Sequence, residues 1–309
     1  MQRYIMRRAL EAIVALWLLG TILFFVLHVT GDPVSYLLPP DATAGEEELL
    51  RARLGLDRPI FVQYAIFTRD IWTGNFGRST SRGILARDLL LERMPKTAQL
   101  ALASILFTIL LGVPIGVMSA LKRDSIGDKI AKFFAIFGMA APNFWLAIML
   151  ILLFGALPAE RGLPSLPTHG SGGLNHLVLP TIVLGWSIMA GIVRLTRSAM
   201  LEVLDSEYVK FARVKGLNEQ RVVWKHALKN AVIPVMTFSG LALGGLLNGS
   251  VAVEVVFAWP GLGRMLLDGV VQRDFPVVAA AVLAAGVFYV VMSLIVDILY
   301  AYVDPRIRI

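Results

Sequence analysis

The sequence contains no cysteine, which removes disulfide frameworks, thiolate metal sites and cysteine nucleophiles at once. Charge is scarce as well: 17% of the 309 residues are Asp, Glu, Lys or Arg, against about a quarter in a soluble globular chain. Catalytic signatures are missing. No H-E-x-x-H and no G-x-x-x-x-G-K-S/T occurs, so neither zinc peptidase chemistry nor a nucleotide-binding P-loop can be placed on this chain. His169 and His176, seven apart in a Gly-rich stretch, could touch a metal or simply lie in a solvated loop. Gly185-Trp186-Ser187 matches the short G-x-S pattern of intramembrane serine proteases, although such triplets are common by chance.

What is abundant is apolar side chain, 57% of residues, with a mean hydropathy of +0.71. A helix needs about 20 mostly apolar residues to cross a hydrocarbon core about 30 Å thick. Six runs come close to or exceed that length: Ala12 to Val29, Thr97 to Leu121, Phe133 to Leu157, Leu177 to Val193, Ala231 to Phe257 and Val277 to Val303. They are continuous, as in Ile148-Met149-Leu150-Ile151-Leu152-Leu153-Phe154, whereas barrel strands alternate over about ten residues. The expected class is all-α and polytopic, with six transmembrane helices. Residues 1–11 carry Arg3, Arg7 and Arg8 ahead of the first run. That run is longer than a signal-peptide core of about 7–15 residues, so it reads as an uncleaved first span.

The Lys and Arg bias orients the spans. With both termini inside, the inner segments hold seventeen basic residues and the two short outer loops hold three, Arg161, Arg264 and Arg273. The net charge of +7 therefore reflects orientation in a membrane and not a nucleic-acid footprint, which would also want interleaved aromatics or a recognisable module. Glu254, near the outer end of its span, and Asp297, near the inner end of another, are expected to snorkel or pair with basic neighbours.

Between the spans lie two long segments. The outer one, 30–96, is charge-balanced, has a surface helix expected over Asp41 to Arg53, and reads as a lid or partner-docking elaboration. The inner one, 194–230, has more order. From Thr196 to Lys215 there is no Gly or Pro; Glu207, Lys210 and Arg213 recur every three while Tyr208, Phe211, Ala212 and Val214 fall between. That pattern predicts one amphipathic helix. Gly216 is placed to take positive φ beyond its end, and Asn218 to cap a following helix from Glu219. Both a solvated loop that obeys the positive-inside rule and an elbow that presents a short helix to a soluble partner fit these residues.

At this elbow the sequence acquires a resemblance. Glu207-Tyr208-Val209-Lys210-Phe211-Ala212-Arg213-Val214-Lys215-Gly216-Leu217, followed by His226-Ala227-Leu228-Lys229-Asn230-Ala231-Val232-Ile233-Pro234, is similar to the cytoplasmic motif of ABC-importer permeases. It most resembles the first dipeptide or oligopeptide permease of the peptide, nickel and opine uptake family. Further matching stretches run the length of the chain. They include Thr30-Gly31-Asp32-Pro33-Val34, Gly74-Asn75-Phe76-Gly77-Arg78-Ser79, Pro142-Asn143-Phe144-Trp145, Arg194-Leu195-Thr196-Arg197-Ser198, Phe257-Ala258-Trp259-Pro260-Gly261-Leu262-Gly263-Arg264 and the tail Asp304-Pro305-Arg306-Ile307-Arg308. Lys210 stands where the wider superfamily often has glutamate, and Lys229 where it has proline; both narrow the resemblance to the peptide branch.

The resemblance implies a type I ABC-importer permease and makes the elbow a coupling helix, with Glu207, Tyr208, Lys210, Ala212, Arg213, Lys215, Gly216 and Leu217 facing or shaping an ATPase contact. It implies no cofactor on this chain, with ATP and Mg on partner subunits. The partners it implies are a second similar permease, two cytoplasmic ATPases, an extracytoplasmic binding protein and membrane lipid, with no nucleic acid. The location it implies is a bacterial inner membrane. Pro142, Asn143 and Asn248 are candidates for the translocation path, because transporters place polar side chains and broken helices near the midplane. Each could equally serve packing, and the glycines from Gly240 to Gly249 suit close helix approach. The expected function is uptake of a small solute, a di- or oligopeptide; the alternatives are a self-contained secondary transporter and an intramembrane hydrolase.

Overall fold

The computed structural model describes residues 2–30 and 43–303, with the side chains of 2–5, 30, 53–54, 247–249 and 296–303 outside that description. Among the described residues the regular structure is helical, apart from one isolated bridge between Arg78 and Leu85. In chain order the helices are α1 (Gln2–Thr30), α2 (Ala44–Leu54), α3 (Ile60–Trp72), α4 (Ala86–Leu121), α5 (Ile126–Ala140) and α6 (Asn143–Glu160). They continue as α7 (Leu174–Leu204), α8 (Glu207–Val214), α9, α10 (Leu262–Val271) and α11 (Phe275–Val303). α9 starts as Glu219–Arg221, widens into a π stretch at Val222–Ala227 and continues as Leu228–Val256; α6 has a π stretch at Leu152–Ala156. Six of these helices, α1, α4, α6, α7, α9 and α11, are long and apolar enough to cross a membrane. Helices are the form open to such segments, since lipid offers backbone N–H and C=O groups no partner.

The expected runs and the helices differ at their ends for local reasons. α1 reaches back to Gln2 through Arg7, Arg8 and Glu11, where Arg7 and Glu11, four apart, pair at 2.9 Å along one face. α4 begins at Ala86, eleven residues before the apolar run. Its first turns carry Arg87, Asp88 and Glu92 on an exposed side but bury Ala86, Leu89 and Leu90 on the other. α2 is fixed by a capping box between Thr43 and Glu46, three residues later than the expected start. The third run, 133–157, is not one helix. Proline disfavours the helical region for the residue before it, and Ala141 is extended (φ −74°, ψ 127°), so α5 ends there and α6 begins after Pro142.

The chain forms two compact units. One is Gln2–Lys96 with Gly261–Val290. In it α3, at 13 residues too short to span, lies along the second half of α1: Gln63 meets His28 at 3.0 Å and Tyr64 meets Thr21 at 2.7 Å. Buried Asp274 accepts from the hydroxyls of Ser79 (2.5 Å) and Ser81 (2.8 Å) and from the Ser81 amide (3.1 Å), pinning the 78–85 hairpin beside the start of α11. Burial alone would raise the Asp274 carboxyl, but these donors outweigh it and hold it below the usual carboxylate range.

The other unit is Thr97–Pro260 with the stretch from Val291. Two apolar clusters organise it. Leu100 and Ile105 of α4, Leu150 of α6, Val183 and Leu184 of α7, and Val253, Phe257 and Trp259 form the first. Val113 and Val117 of α4, Ile192 and Met200 of α7, Val209 and Ala212 of α8, and Val222, Ala227 and Val235 of α9 form the second. Glu254 does not snorkel: it is fully buried near the end of α9 and accepts from the Thr97 hydroxyl at 2.8 Å. Nor does Gly245 mark a close approach, since a Cβ there would meet nothing within 4 Å. Tight contacts fall at other glycines, among them Gly138 against Trp186 and Gly191 against Phe238 of α9.

Candidate functional site

The predicted single helix from Thr196 to Lys215 is two helices. α7 runs unbroken from its apolar part through Arg194 and Arg197 to Leu204, and Asp205 and Ser206 separate it from α8. Ser206 supplies the reason: its hydroxyl donates to the Val203 carbonyl at 2.5 Å, a local side-chain bond that competes with helix continuation. The new helix then starts with Glu207 in its first turn, where a carboxylate suits the exposed N–H groups.

α8 ends in a Schellman motif. The Gly216 amide donates to the Arg213 carbonyl (2.9 Å) and the Leu217 amide to the Ala212 carbonyl (3.4 Å), which requires the left-handed Gly216 (φ 74°). Asn218 Oδ1 then accepts from the Gln220 amide at 3.0 Å and opens α9. Ion pairing closes the elbow: Arg213 donates through Nε and Nη2 to both oxygens of Glu219, at 3.2 and 2.8 Å. That bond holds Glu219 below its ordinary range and raises Arg213. Lys210 is raised by its hydrogen bond to Glu207 at 2.9 Å. Lys215 lies over the Phe211 ring, 4.6 Å from its centroid, and Asn230 donates to the Tyr208 hydroxyl at 2.7 Å. Arg213 is thus engaged within the chain. Because the pair is surface-exposed it contributes about 0–1 kcal/mol, and Arg213→Glu is expected to open the elbow while Arg213→Glu with Glu219→Arg restores it, read by trypsin cleavage at Lys215.

The apolar residues of α8 are divided between two faces. Val209 and Ala212 are buried in the second cluster, whereas Tyr208, Phe211 and Val214, at i, i+3 and i+6, point outward with 43%, 59% and 83% exposure. Sequence periodicity treated these apolar positions as one face. A helix secured on one side and carrying an exposed apolar stripe on the other, ringed by Lys210, Lys215 and Glu207, can dock in a groove on a soluble partner.

The other candidates do not join the elbow. Pro142 and Asn143 sit at the α5–α6 break, Asn143 half-buried at the first position of α6. Asn248 lies within α9, but its side chain is outside the described residues, as is that of Asp297. His176 Nδ1 accepts from the Gly173 amide and His169 Nδ1 bonds the Thr168 hydroxyl. Among the described residues no group of His, Asp or Glu could hold a metal. Sequence reasoning missed Asp128. It is buried under Arg197, Lys132 and Ser119. The Arg197 bonds hold it well below the usual carboxylate range in spite of burial. The one sequence signal was Ser125 three residues ahead of Asp128, an N-cap spacing that the structure uses.

Comparisons with known proteins agree along the whole chain. Residues 112–309 match the binding-protein-dependent transport system inner membrane component family, and residues 1–101 match its N-terminal companion. The oligopeptide transport system permease protein AppB of Bacillus subtilis (strain 168) is 40% identical over 322 aligned positions, covering 100% of each chain. The glutathione transport system permease protein GsiC of Escherichia coli (strain K12) is 38% identical over 310, covering 100% of this chain and 99% of the relative. The dipeptide transport system permease protein DppB of Alkalihalophilus pseudofirmus is 37% identical over 332, with both chains covered fully. Among solved structures, the inward-facing MetNI methionine ABC transporter superposes with a TM-score of 0.56 at 18% identity, over 70% of this chain and 96% of that one. That likeness concerns the fold. The chain is an integral membrane protein with an ABC-importer permease fold, and it belongs to the binding-protein-dependent transport system inner membrane component family.

Proposed function

We propose that this chain is one of two similar permease subunits forming the membrane core of an importer that takes up di- or oligopeptides. An extracytoplasmic binding protein delivers the solute. Two ATPase subunits, holding ATP and Mg, supply the energy, and this chain hydrolyses nothing itself. Both termini face the cytoplasm of a bacterial inner membrane, in keeping with the seventeen-to-three basic bias. The permeases named for oligopeptide, dipeptide and glutathione transport support a peptide-like solute.

The observation that carries the mechanism is the split of α8: Val209 and Ala212 bind it to the permease, and Phe211 and Val214 are left for the ATPase. A push on the exposed stripe therefore moves α7 and α9 with it. The test is Phe211→Glu combined with Val214→Glu, which leaves the buried face intact. The expected result is loss of the ATPase subunits from the purified complex and loss of dipeptide uptake, with helical circular dichroism unchanged. Stoichiometric ATPase with full uptake would sink the assignment.

Asn143, at the helix break, is proposed to line the path together with Pro142 and Asn248. A cysteine replacing Asn143 is expected to react with a water-soluble thiol reagent more in one nucleotide state than in another, with no background from a chain that lacks cysteine. Protection in every state, with a labelled outer-loop control at Ser171, would assign the position to packing.

A further inference from the structure

Asp128, fully buried in the first turn of α5, is where four groups converge. Arg197 of α7 donates from Nε to one carboxylate oxygen at 2.9 Å and from Nη2 to the other at 3.1 Å. Lys132 pairs with it at 2.9 Å, the Asp124 amide donates at 2.9 Å, and the Ser119 hydroxyl near the end of α4 donates as well. A two-pronged arginine contact fixes direction as well as charge. One carboxylate thus ties together the end of α4, the start of α5 and α7.

The rest of the contact between α5 and α7 is extensive and apolar. At the far end of α5, Gly138 abuts Trp186, whose ring lies 5.8 Å from that of Phe134 and 6.5 Å from that of Phe137. Between the two ends is an apolar groove of about 290 Å³, bordered by Ile130, Ala131 and Ala135 of α5 and by Met189, Ala190 and Val193 of α7. A gap of that kind forfeits dispersion contacts over part of the shared surface, and apolar packing fixes direction less well than the paired charges at Asp128. α7 is held differently: Ile192 and Met200, on either side of Arg197 in sequence, are buried in the cluster that also holds Val209 and Ala212 of the elbow. The second half of α7 and the elbow are therefore packed into one body.

We propose that Asp128 is the positioning residue that passes motion of the elbow to α5 and, across the Ala141–Pro142 break, to α6. This rests on the elbow being the ATPase contact. With the clamp gone, the elbow and α7 still move when the ATPases close, but α5, left with apolar contacts to α7, follows them less closely. ATP is then hydrolysed without uptake.

The experiment uses the whole complex, with its second permease, ATPases and binding protein, in proteoliposomes. Asp128→Asn preserves size and removes the charge. The expected result is that the ATPase subunits still co-purify and ATP hydrolysis continues, while dipeptide taken up per ATP falls about tenfold or more, the factor that losing a charge-assisted hydrogen bond corresponds to. Arg197→Lys keeps the charge but not the fork, and Ser119→Ala removes only the hydroxyl; both are expected to lower the same ratio by less. An unchanged ratio in Asp128→Asn overturns the proposal. So does a joint fall of uptake and hydrolysis with loss of the ATPases, which would make the clamp purely structural. The elbow reading fails separately, through the Phe211→Glu and Val214→Glu variant keeping its ATPases.

Discussion

Gly216→Trp is expected to abolish dipeptide uptake by the reconstituted complex while the six long helices remain folded. Two effects combine at this position. Gly216 has φ 74°, a conformation that costs a residue with a Cβ about 1–2 kcal/mol and loosens the two hydrogen bonds that end α8. A Cβ there would meet no atom of this chain within 4 Å, so a large side chain is not driven into the permease and projects from the elbow instead. Gly216→Ala carries only the backbone strain and is expected to retain most uptake. The difference between the two variants isolates what the indole does to a docked partner. Full uptake by Gly216→Trp, with ATPase bound in normal amount, would show that the elbow turn faces no partner.

Gly138→Ala is expected to destabilise the Thr97–Pro260 unit more than any exposed substitution in it. A Cβ at this position would lie 2.2 Å from Trp186 Cδ1 and 2.4 Å from its Nε1, so either the indole leaves its place beside Phe134 and Phe137 or α5 moves off α7. Overpacking of this kind costs about 1–3 kcal/mol, and small residues are what allow helices in a bilayer to touch so closely. The measurement is thermal unfolding of the detergent-purified chain followed by tryptophan fluorescence. Pairing Gly138→Ala with Trp186→Ala should recover much of the loss, since contacting residues are coupled and distant ones are additive. Strict additivity of the two substitutions would mean that this contact is not made in solution.

The sequence and the structure differ most where helical faces are assigned. In α8 the apolar residues occupy positions on both sides, and nothing in the spacing of Tyr208, Val209, Phe211, Ala212 and Val214 says which side a neighbour will cover. Met200 of α7 and Val222 of α9 decide it, because they complete a cluster that only Val209 and Ala212 can reach. Helix ends were misread wherever polar residues lay on one face of a helix buried on the other, as in the first turns of α4. The break at Ser206 carries no glycine or proline and is marked by the Ser206 hydroxyl and amide both donating to the Val203 carbonyl. Asp128 and Arg197 are 69 positions apart; read singly, each was only a charge at the edge of an apolar run.

By itself the sequence determined the membrane class, the six long apolar helices, the family and the place of the Gly216 turn. These follow from local quantities: run length against bilayer thickness, the intrinsic cost of positive φ, and motifs contiguous in the chain. Tertiary structure alone decided which face of α8 stays open, that Glu254 turns inward to Thr97, and that Asp128 fastens α5 to α7. Those depend on which surfaces of separate helices meet, and where a helix is apolar on more than one side, as α8 and the long spans are, hydrophobic pattern cannot tell an open or lipid-facing side from a packed one.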